Sequence, residues 1–391
     1  MLLVVFGAGA TFDSWSSFPP GESPVERNRP PLAKDLFRAR PLNQTDDRFR
    51  DVMRKFPKCF DVLPKLEAPP ENSTVEHELE ELQKEAPDNH ERYRQLASIR
   101  FYLRDLIWEC VGQWMGITRG ASNYKVLLDS IRSAKYENKT CLVTFNYDIM
   151  LEDALQHHGM LIRTIEDYVA GPYKTVKLHG SVNWVHPVRA IFDNPVVRMS
   201  DEQVAKELIQ KADQLHVEDA FQTVETPHTR IGDEAFLPAL AIPTETKRNF
   251  ECPPPHIEIM TKHLADVTKV LLIGWAGNEK NFLQLLAQNL RGAPKVAIVA
   301  GTIQGGKAVK EKLIKAGTKG TDSDFTNIKV IDSGFSNFVR GQSDRFLREA
   351  SKQGTQGFSR GATQTCCPRL VTPCKPKTHA TEPATTSGKQ G

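Results

Sequence analysis

The chain lacks a long apolar run. Its 391 residues are 39% hydrophobic and 25% charged, a balance typical of a folded globular protein, and no run approaches the ~20 apolar residues that a membrane-spanning helix needs. The apolar start at residues 2–6 has no basic segment before it and is shorter than the apolar part of a secretory signal. We therefore expect neither a membrane span nor export.

The sequence also lacks paired cysteines. Its seven cysteines are scattered, and none belongs to a Cys-x-x-Cys pair. The pattern therefore indicates neither a disulfide framework nor a thiolate zinc site. Free thiols suit a reducing compartment, so we expect a cytoplasmic protein without a bound metal.

An excess of basic charge is missing from most of the chain, although the net charge is +3. Residues 351–391 hold six of the 51 basic residues and one of the 48 acidic ones, which leaves 45 basic and 47 acidic residues in 1–350. This near-neutral body predicts no nucleic-acid partner. Residues 351–391 are rich in Thr, Pro, Gly, Ser and Lys, which predicts a disordered basic tail.

Short apolar runs alternate with helical stretches through residues 1–350, a pattern that predicts an α/β fold. We expect a Rossmann-like parallel sheet with helices on both faces, because most of the strand candidates are continuous apolar runs. The predicted strands are Leu2–Phe6, Thr140–Phe145, Thr175–Leu178, Lys269–Ile273, Lys295–Val299 and Ile328–Ile331. The predicted helices include Arg92–Met115, Tyr124–Lys135, Ile149–His157, Asp201–Leu215, Asn278–Leu290, Lys307–Ala316 and Ser336–Ala350.

Two long segments interrupt this alternation. Residues 38–137 have no convincing strand and predict a helical insertion. Residues 185–255 combine one predicted helix with proline-rich loops, and we interpret them as a cap or lid over a binding site. The predicted organisation is thus one domain at 1–350 that contains both segments, followed by the tail.

Glycines follow the first predicted strand directly. Gly7, Ala8, Gly9 and Thr11 belong to a Gly-Ala-Gly-Ala-Thr sequence, and glycines at this place allow the backbone to approach a pyrophosphate, with N–H groups directed at the anion. The third glycine of the dinucleotide-binding pattern is absent, because Phe12 stands there. An ordinary tight turn is the alternative interpretation.

Three further motifs each follow a predicted strand. Asn146 and Asp148, in Phe-Asn-Tyr-Asp, suit either a ribose or carboxamide contact or a helix cap. His179, in Leu-His-Gly-Ser, suits either a general base or a structural histidine. Gly274 and Ala276, in Gly-Trp-Ala-Gly-Asn-Glu, suit either close contact with a ligand or a simple turn. Because the carboxyl ends of parallel strands share one edge, we expect all four motifs to meet there.

In this order, the four motifs resemble those of the sirtuin-like NAD-binding superfamily, and Pro31-Leu-Ala-Lys-Asp-Leu36 is similar to a segment of its non-deacetylase branch. That branch includes bacterial antiviral-defence effectors that hydrolyse NAD. The resemblance implies that Asn146 and His179 are the catalytic pair and that Asp148 lies near the nicotinamide carboxamide. It also implies that Gly7, Ala8, Gly9 and Thr11 hold the phosphates and the adjacent ribose, while Gly274 and Ala276 line the adenosine side.

The protein deacylases of this superfamily carry a four-cysteine zinc module after the His-Gly motif, whereas residues 181–251 contain no cysteine. The expected function is therefore hydrolysis of NAD, as a substrate, to nicotinamide and ADP-ribose without a metal, in a defence effector. An NAD-dependent deacylase or ADP-ribosyltransferase and a non-catalytic nucleotide sensor are the alternatives. We expect a homo-oligomer or an activating protein as partner, and no membrane partner.

Overall fold

The computed structural model describes residues 1–21, 26–38, 48–70, 73–243, 250–317, 325 and 327–349. Its strands, in chain order, are β1 (Leu2–Phe6), β2 (Thr140–Thr144), β3 (Tyr173–Lys177), β4 (Gly180–Arg189), β5 (His216–Val217), β6 (Gln222–Thr223), β7 (Arg230–Ile231), β8 (Glu234–Leu240), β9 (Lys269–Ile273), β10 (Lys295–Val299) and β11 (Ile328–Ile331). The tail predicted at 351–391 lies outside the described residues.

The α-helices are α1 (Ala8–Phe12), α2 (Arg48–Lys55), α3 (Leu63–Glu67), α4 (Val75–Glu85), α5 (His90–Thr118), α6 (Asn123–Ser133), α7 (Met150–His157), α8 (Asp167–Ala170), α9 (Asp201–Gln210), α10 (Pro254–Leu264), α11 (Lys280–Asn289), α12 (Ile303–Gly317), α13 (Gly334–Gly341) and α14 (Ser343–Arg348). Among the residues that the structure describes, no helix is both long and apolar enough to cross a membrane.

A six-stranded parallel sheet forms the centre of the fold, in the order β11-β10-β9-β1-β2-β3. The chain runs outward from β1 through β2 and β3, and then continues on the other side of β1 through β9, β10 and β11. This is the Rossmann-like order, in which ligands bind beyond the carboxyl ends of the strands where the direction reverses, here between β1 and β9. The predicted fold class is confirmed.

Both faces of this sheet are buried, which explains the continuous apolar runs. Along β1, Leu2, Val4 and Phe6 join a core with α5, α6, α7 and α13, while Leu3 and Val5 join a second core with α10 and α11. Every predicted strand is present with its ends within two residues of the prediction. The helix predicted at Ser336–Ala350 is divided into α13 and α14.

The backbone register brings the ends of five strands to one level. Phe6 pairs with Thr144 on one side and with Ile273 on the other. Thr144 in turn pairs with Lys177, and Ile273 pairs with Val299. Loops that leave the sheet after these residues therefore begin side by side, although they are far apart in the sequence.

The predicted insertion is helical in its described part, which contains α2 to α6 and no strand. Helix α6 begins after Ser122, whose side chain accepts a hydrogen bond from the backbone N–H of Lys125, a cap that satisfies one of the free N–H groups at a helix start. The aromatic and aliphatic side chains of α5 and α6 pack beneath β1 and β2, so the insertion forms part of the main core.

A second, antiparallel sheet occupies much of the segment that we predicted as one helix with loops. It has the order β5-β4-β8-β7, and β6 also pairs with β4. The prediction missed its two long strands because each contains a proline, a residue that argues against a strand interior. Pro187 lies in β4. Pro238 lies in β8, where it pairs with Val185 of β4. A lid role for this segment stays a prediction.

Candidate functional site

The loop after β1, which includes the short helix α1, packs against the loop after β9 through backbone hydrogen bonds. The N–H of Gly7 donates to the carbonyl oxygen of Ile273, and that of Gly9 to the carbonyl oxygen of Gly274, both at 3.0 Å. Gly274 has φ of 59°, and a Cβ there would lie 2.2 Å from the nitrogen of Ala10. These glycines are thus required by the contact between loops, and the N–H groups of Gly7 and Gly9 are directed at β9 rather than at an anion.

Toward β2, the same loop forms a buried network of polar side chains. The Thr11 hydroxyl donates to Oδ2 of Asp148 at 2.7 Å and lies 2.8 Å from the Tyr124 hydroxyl. Nδ2 of Asn146 donates to Oγ1 of Thr11 at 2.9 Å. All four side chains belong to residues that are less than 10% exposed. The structure therefore brings the predicted Thr11, Asn146 and Asp148 together.

The orientation of the Asn146 amide follows from its neighbours. Nδ2 lies 3.0 Å from the carbonyl oxygen of Gly7, 2.9 Å from Oγ1 of Thr11 and 3.2 Å from the hydroxyl of Tyr124. A reversed amide would place Oδ1 against the Gly7 carbonyl oxygen, which can only accept. Oδ1 therefore faces the other way, where it is buried and has no hydrogen-bond partner among the described residues. A buried acceptor of this kind is costly unless a ligand or water satisfies it.

Asp148 is held from three directions. Oδ2 accepts from Thr11, and Oδ1 accepts from the N–H of Met150, the first residue of α7, at 3.0 Å. Its backbone oxygen accepts from Nζ of Lys177, a fully buried ammonium that pairs with Glu152 at 2.7 Å. Asp148 thus supports the start of the helix, as the capping alternative requires, and a carboxylate keeps lone pairs for a further donor.

His179 lies beside the β2 loop. Its carbonyl oxygen accepts from the N–H of Ala241 at 3.0 Å, and its residue is 5% exposed. The imidazole centre is 4.8 Å from that of the Phe145 ring and 6.2 Å from that of Tyr147. Because these two aromatic residues flank Asn146 in the sequence, the histidine and the amide belong to adjacent loops at the same edge of the sheet.

The β9 loop is held by an aromatic stack and by hydrogen bonds from a lysine side chain. Trp275 stacks on Phe145 at 5.7 Å between ring centres, with the planes 7° apart. Nζ of Lys312 donates to the carbonyl oxygen of Ala276 at 2.9 Å and to Oδ1 of Asn278 at 2.7 Å. Ala276 itself is exposed, as is Ala8 in the opposite loop. Both residues are therefore accessible to solvent at the reversal point, the place between β1 and β9 where the strand order reverses.

Three residues of the site were missed by the sequence analysis: Tyr124, Glu152 and Lys177. Nothing in the residues around Tyr124 distinguishes it from other apolar positions of a helix. Lys177 did carry a signal, because a lysine between Val176 and Leu178 in a strand buried on both faces needs a buried partner. That partner, Glu152, lies in the first turn of α7, which precedes β3 in the chain.

A separate cavity of about 1040 Å³ lies between α5 and the antiparallel sheet, and none of the predicted site residues lines it. At its wall, Nε2 of His186 lies 2.6 Å from Oε1 of Glu251 and Nδ1 lies 2.7 Å from the carbonyl oxygen of Ala220. Arg100 is 4.0 Å from the same carboxylate group. Both ring nitrogens of His186 thus already have protein partners.

The cysteines of the described residues, Cys59, Cys110, Cys141 and Cys252, are buried and form no disulfide with one another. Burial raises the pKa of the Cys59 and Cys141 thiols to about 12, so these thiols stay protonated. No group of three His, Cys, Asp or Glu side chains suited to a metal occurs in the part of the chain that the structure describes.

Comparison with protein-family models finds no match, and comparison with curated proteins finds none either. Solved structures with a similar arrangement include a Sir2 homologue mutant in complex with 2′-O-acetyl-ADP-ribose. It is 11% identical, with a TM-score of 0.39, over 89% of this chain and 90% of that chain. A Sir2 homologue in complex with NAD is 11% identical, with a TM-score of 0.36, over 89% and 88%. At these values the likeness says nothing about what the present chain binds or does.

Proposed function

We propose that the protein is an NAD glycohydrolase that cleaves the bond between nicotinamide and ribose and releases nicotinamide and ADP-ribose. The observation that carries this proposal is Oδ1 of Asn146, a buried acceptor without a partner among the described residues, at the edge where a parallel sheet of this order binds nucleotides. A ribose hydroxyl or a water molecule supplies the missing donor.

In this proposal the dinucleotide lies across the reversal point between β1 and β9. Gly7, Ala8, Gly9 and Thr11 lie against the phosphates and the adjacent ribose, with the exposed Ala8 providing the approach surface and the N–H groups of Gly7 and Gly9 still bonded to Ile273 and Gly274. Gly274 and Ala276 line the adenosine side. Asp148 lies toward the nicotinamide carboxamide, where its carboxylate accepts from the amide.

The chemistry needs little from the protein beyond position and a proton acceptor. Nicotinamide leaves NAD⁺ as a neutral molecule, so no acid has to protonate it, and the developing positive charge on the ribose is the group to be stabilised. Asn146 holds the ribose or the attacking water through Oδ1. His179 takes the proton that the water or a ribose hydroxyl loses, a contribution of roughly 10²–10⁴-fold. One NAD⁺ and one water give nicotinamide, ADP-ribose and a proton.

The direct test is to incubate the purified full chain with NAD⁺, without peptide, and to measure free nicotinamide by chromatography. We expect release by the native chain and its loss in Asn146→Ala and in His179→Ala. His256→Gln is the matched control, because His256 is buried at 2% exposure and its Nε2 lies 2.9 Å from the carbonyl oxygen of Ile165, outside the four loops. It should keep full activity.

Turnover retained in both Asn146→Ala and His179→Ala would remove this pair from the mechanism. Nicotinamide release that depends on an added acyl-lysine peptide or acceptor protein would instead support a deacylase or transferase. NAD binding by calorimetry without release, across candidate activators, would support a sensor. A role in antiviral defence, also proposed, predicts toxicity on overexpression in a bacterial host that Asn146→Ala abolishes.

A further inference from the structure

We propose that Tyr124 is a positioning residue: its hydroxyl helps to hold the Asn146 amide with Oδ1 directed at the substrate. The proposal rests on the proposed NAD hydrolysis for its catalytic consequence. The juxtaposition that carries it is a Tyr124 hydroxyl 2.8 Å from Oγ1 of Thr11 and 3.2 Å from Nδ2 of Asn146.

The direction of each hydrogen bond follows from a count of protons. The Thr11 hydroxyl donates to Oδ2 of Asp148, so its single proton is used in that bond. Tyr124 must therefore donate its own proton to Oγ1 of Thr11. Its oxygen is then left as an acceptor, and Nδ2 of Asn146 is the donor that it faces. The three residues thus have one arrangement of donors and acceptors: Asn146 donates to Thr11 and to Tyr124, and Tyr124 donates to Thr11.

The ring of Tyr124 is fixed by packing. Its centre lies 5.0 Å from that of Phe6 and 5.6 Å from that of Phe335, the second in an edge-to-face arrangement, and the residue is 1% exposed. Burial first, and the charge of Asp148 second, raise the pKa of Tyr124 well above its usual value. The hydroxyl is thus protonated at any pH at which the protein is studied, as the donor role requires.

The hydroxyl is one of three acceptors near Nδ2, so its removal should loosen the amide without releasing it. In Tyr124→Phe the ring packing is kept, and the Gly7 carbonyl and Thr11 Oγ1 still face Nδ2. We expect kcat for nicotinamide release to fall about tenfold, because small displacements of a reacting group are costly. The KM for NAD should stay within about twofold, because the lost contact does not involve the substrate.

The matched control is Tyr102→Phe. Tyr102 is also fully buried, and its hydroxyl donates to the carbonyl oxygen of Leu36 at 2.7 Å, so the variant loses a comparable bond elsewhere in the core. Both variants should lower the unfolding midpoint similarly, while only Tyr124→Phe lowers kcat. Equal kcat in the two variants would overturn the proposal.

A second measurement does not depend on activity. In ¹⁵N-labelled protein the side-chain NH₂ signal of Asn146 is identified by its loss in Asn146→Ala. We expect Tyr124→Phe, but not Tyr102→Phe, to move this signal upfield and to speed its exchange with water. An unchanged signal would overturn the positioning role. If the native chain releases no nicotinamide, the proposed hydrolysis fails, and the NH₂ signal alone still decides the role of Tyr124.

Discussion

The loop after β1 contacts its two neighbours in different ways. Toward β9 it packs backbone on backbone, and the glycines leave no room for a side chain between the two loops. Toward β2 it makes contact through side chains, and one acceptor, Oδ1 of Asn146, remains without a partner in the described structure. The glycines here therefore make the backbone contact between the two loops, whereas the acceptor on which the proposed activity rests belongs to a polar side chain beside them.

The largest expected effect breaks the backbone contact. In Gly274→Ala the new Cβ would lie 2.2 Å from the nitrogen of Ala10, at φ of 59°. Because backbone atoms on both sides cannot yield, we expect a loss of about 4 kcal/mol or more in the free energy of unfolding, measured by urea denaturation, or failure to fold.

Gly277→Ala is the matched control for that substitution. Its φ of 69° carries similar strain, but the nearest atom to a new Cβ is Cδ of the flexible Lys312 side chain, at 3.3 Å. A loss of only about 1 kcal/mol is expected. Equal losses at Gly274 and Gly277 would mean that the contact between the loops does not govern stability.

The next effect concerns the buried ion pair between Lys177 and Glu152, which lies beside Asp148. Lys177→Met leaves the Glu152 carboxylate without its ammonium partner, and breaking one side of a buried pair costs about 3–5 kcal/mol. Lys269→Met is the comparison, since Lys269 is equally buried but donates to the carbonyl oxygens of Phe346 and Leu347. Burial already lowers its pKa. Lys269→Met should lower the free energy of unfolding by about 1 kcal/mol. A larger loss in Lys269→Met than in Lys177→Met would contradict the importance of the ion pair.

A smaller change in stability with a large change in activity is expected for Thr11→Val. The variant removes the hydroxyl that joins Asp148 to Asn146, which should reduce nicotinamide release by about 10²-fold and stability by about 2 kcal/mol. Thr140→Val, at the start of β2, loses only a half-buried bond to the Tyr136 carbonyl oxygen. If both threonine variants lower activity equally, the polar network has no special role.

The smallest effect is on pH dependence and involves neither contact of the β1 loop. Burial lowers the pKa of His256 from its usual 6.5, so its neutral form stabilises the fold above pH 6.5, and this contribution is lost as the pH falls through the lowered pKa. In His256→Gln the loss of stability between pH 7.5 and pH 5.5 should be less than in the native chain, by up to about 1 kcal/mol. Thermal melts at the two pH values measure it, and parallel curves would contradict it.

The parts of the fold that were predictable are those that apolar patterning dictates. Strands buried on both faces, such as Lys269–Ile273, are visible as continuous runs, and polar motifs directly after them are placed by the rule for parallel sheets. The antiparallel sheet was not predictable in the same way, because two of its strands contain prolines and three have only two residues. Their pairing depends on contacts distant in the sequence.

The candidate site was predictable as a set of loops but not as a network. Asn146, Asp148 and Thr11 could be named from their positions after strands. Tyr124 could not, since its hydroxyl acts through a helix whose place beneath β1 is set by tertiary packing. The expected use of the glycine N–H groups also differed, because a single sequence does not tell whether the atom opposite a glycine belongs to a ligand or to a neighbouring loop.

The central place of β1 has a consequence for the order in which the protein matures. Leu2 pairs with Thr140 on one side and with Lys269 on the other, so a growing chain on the ribosome holds an unfinished edge until β9 has emerged. Such distant pairing is also slow to form. The edge of the sheet on which the proposed activity depends can therefore be completed only after β9 has been made.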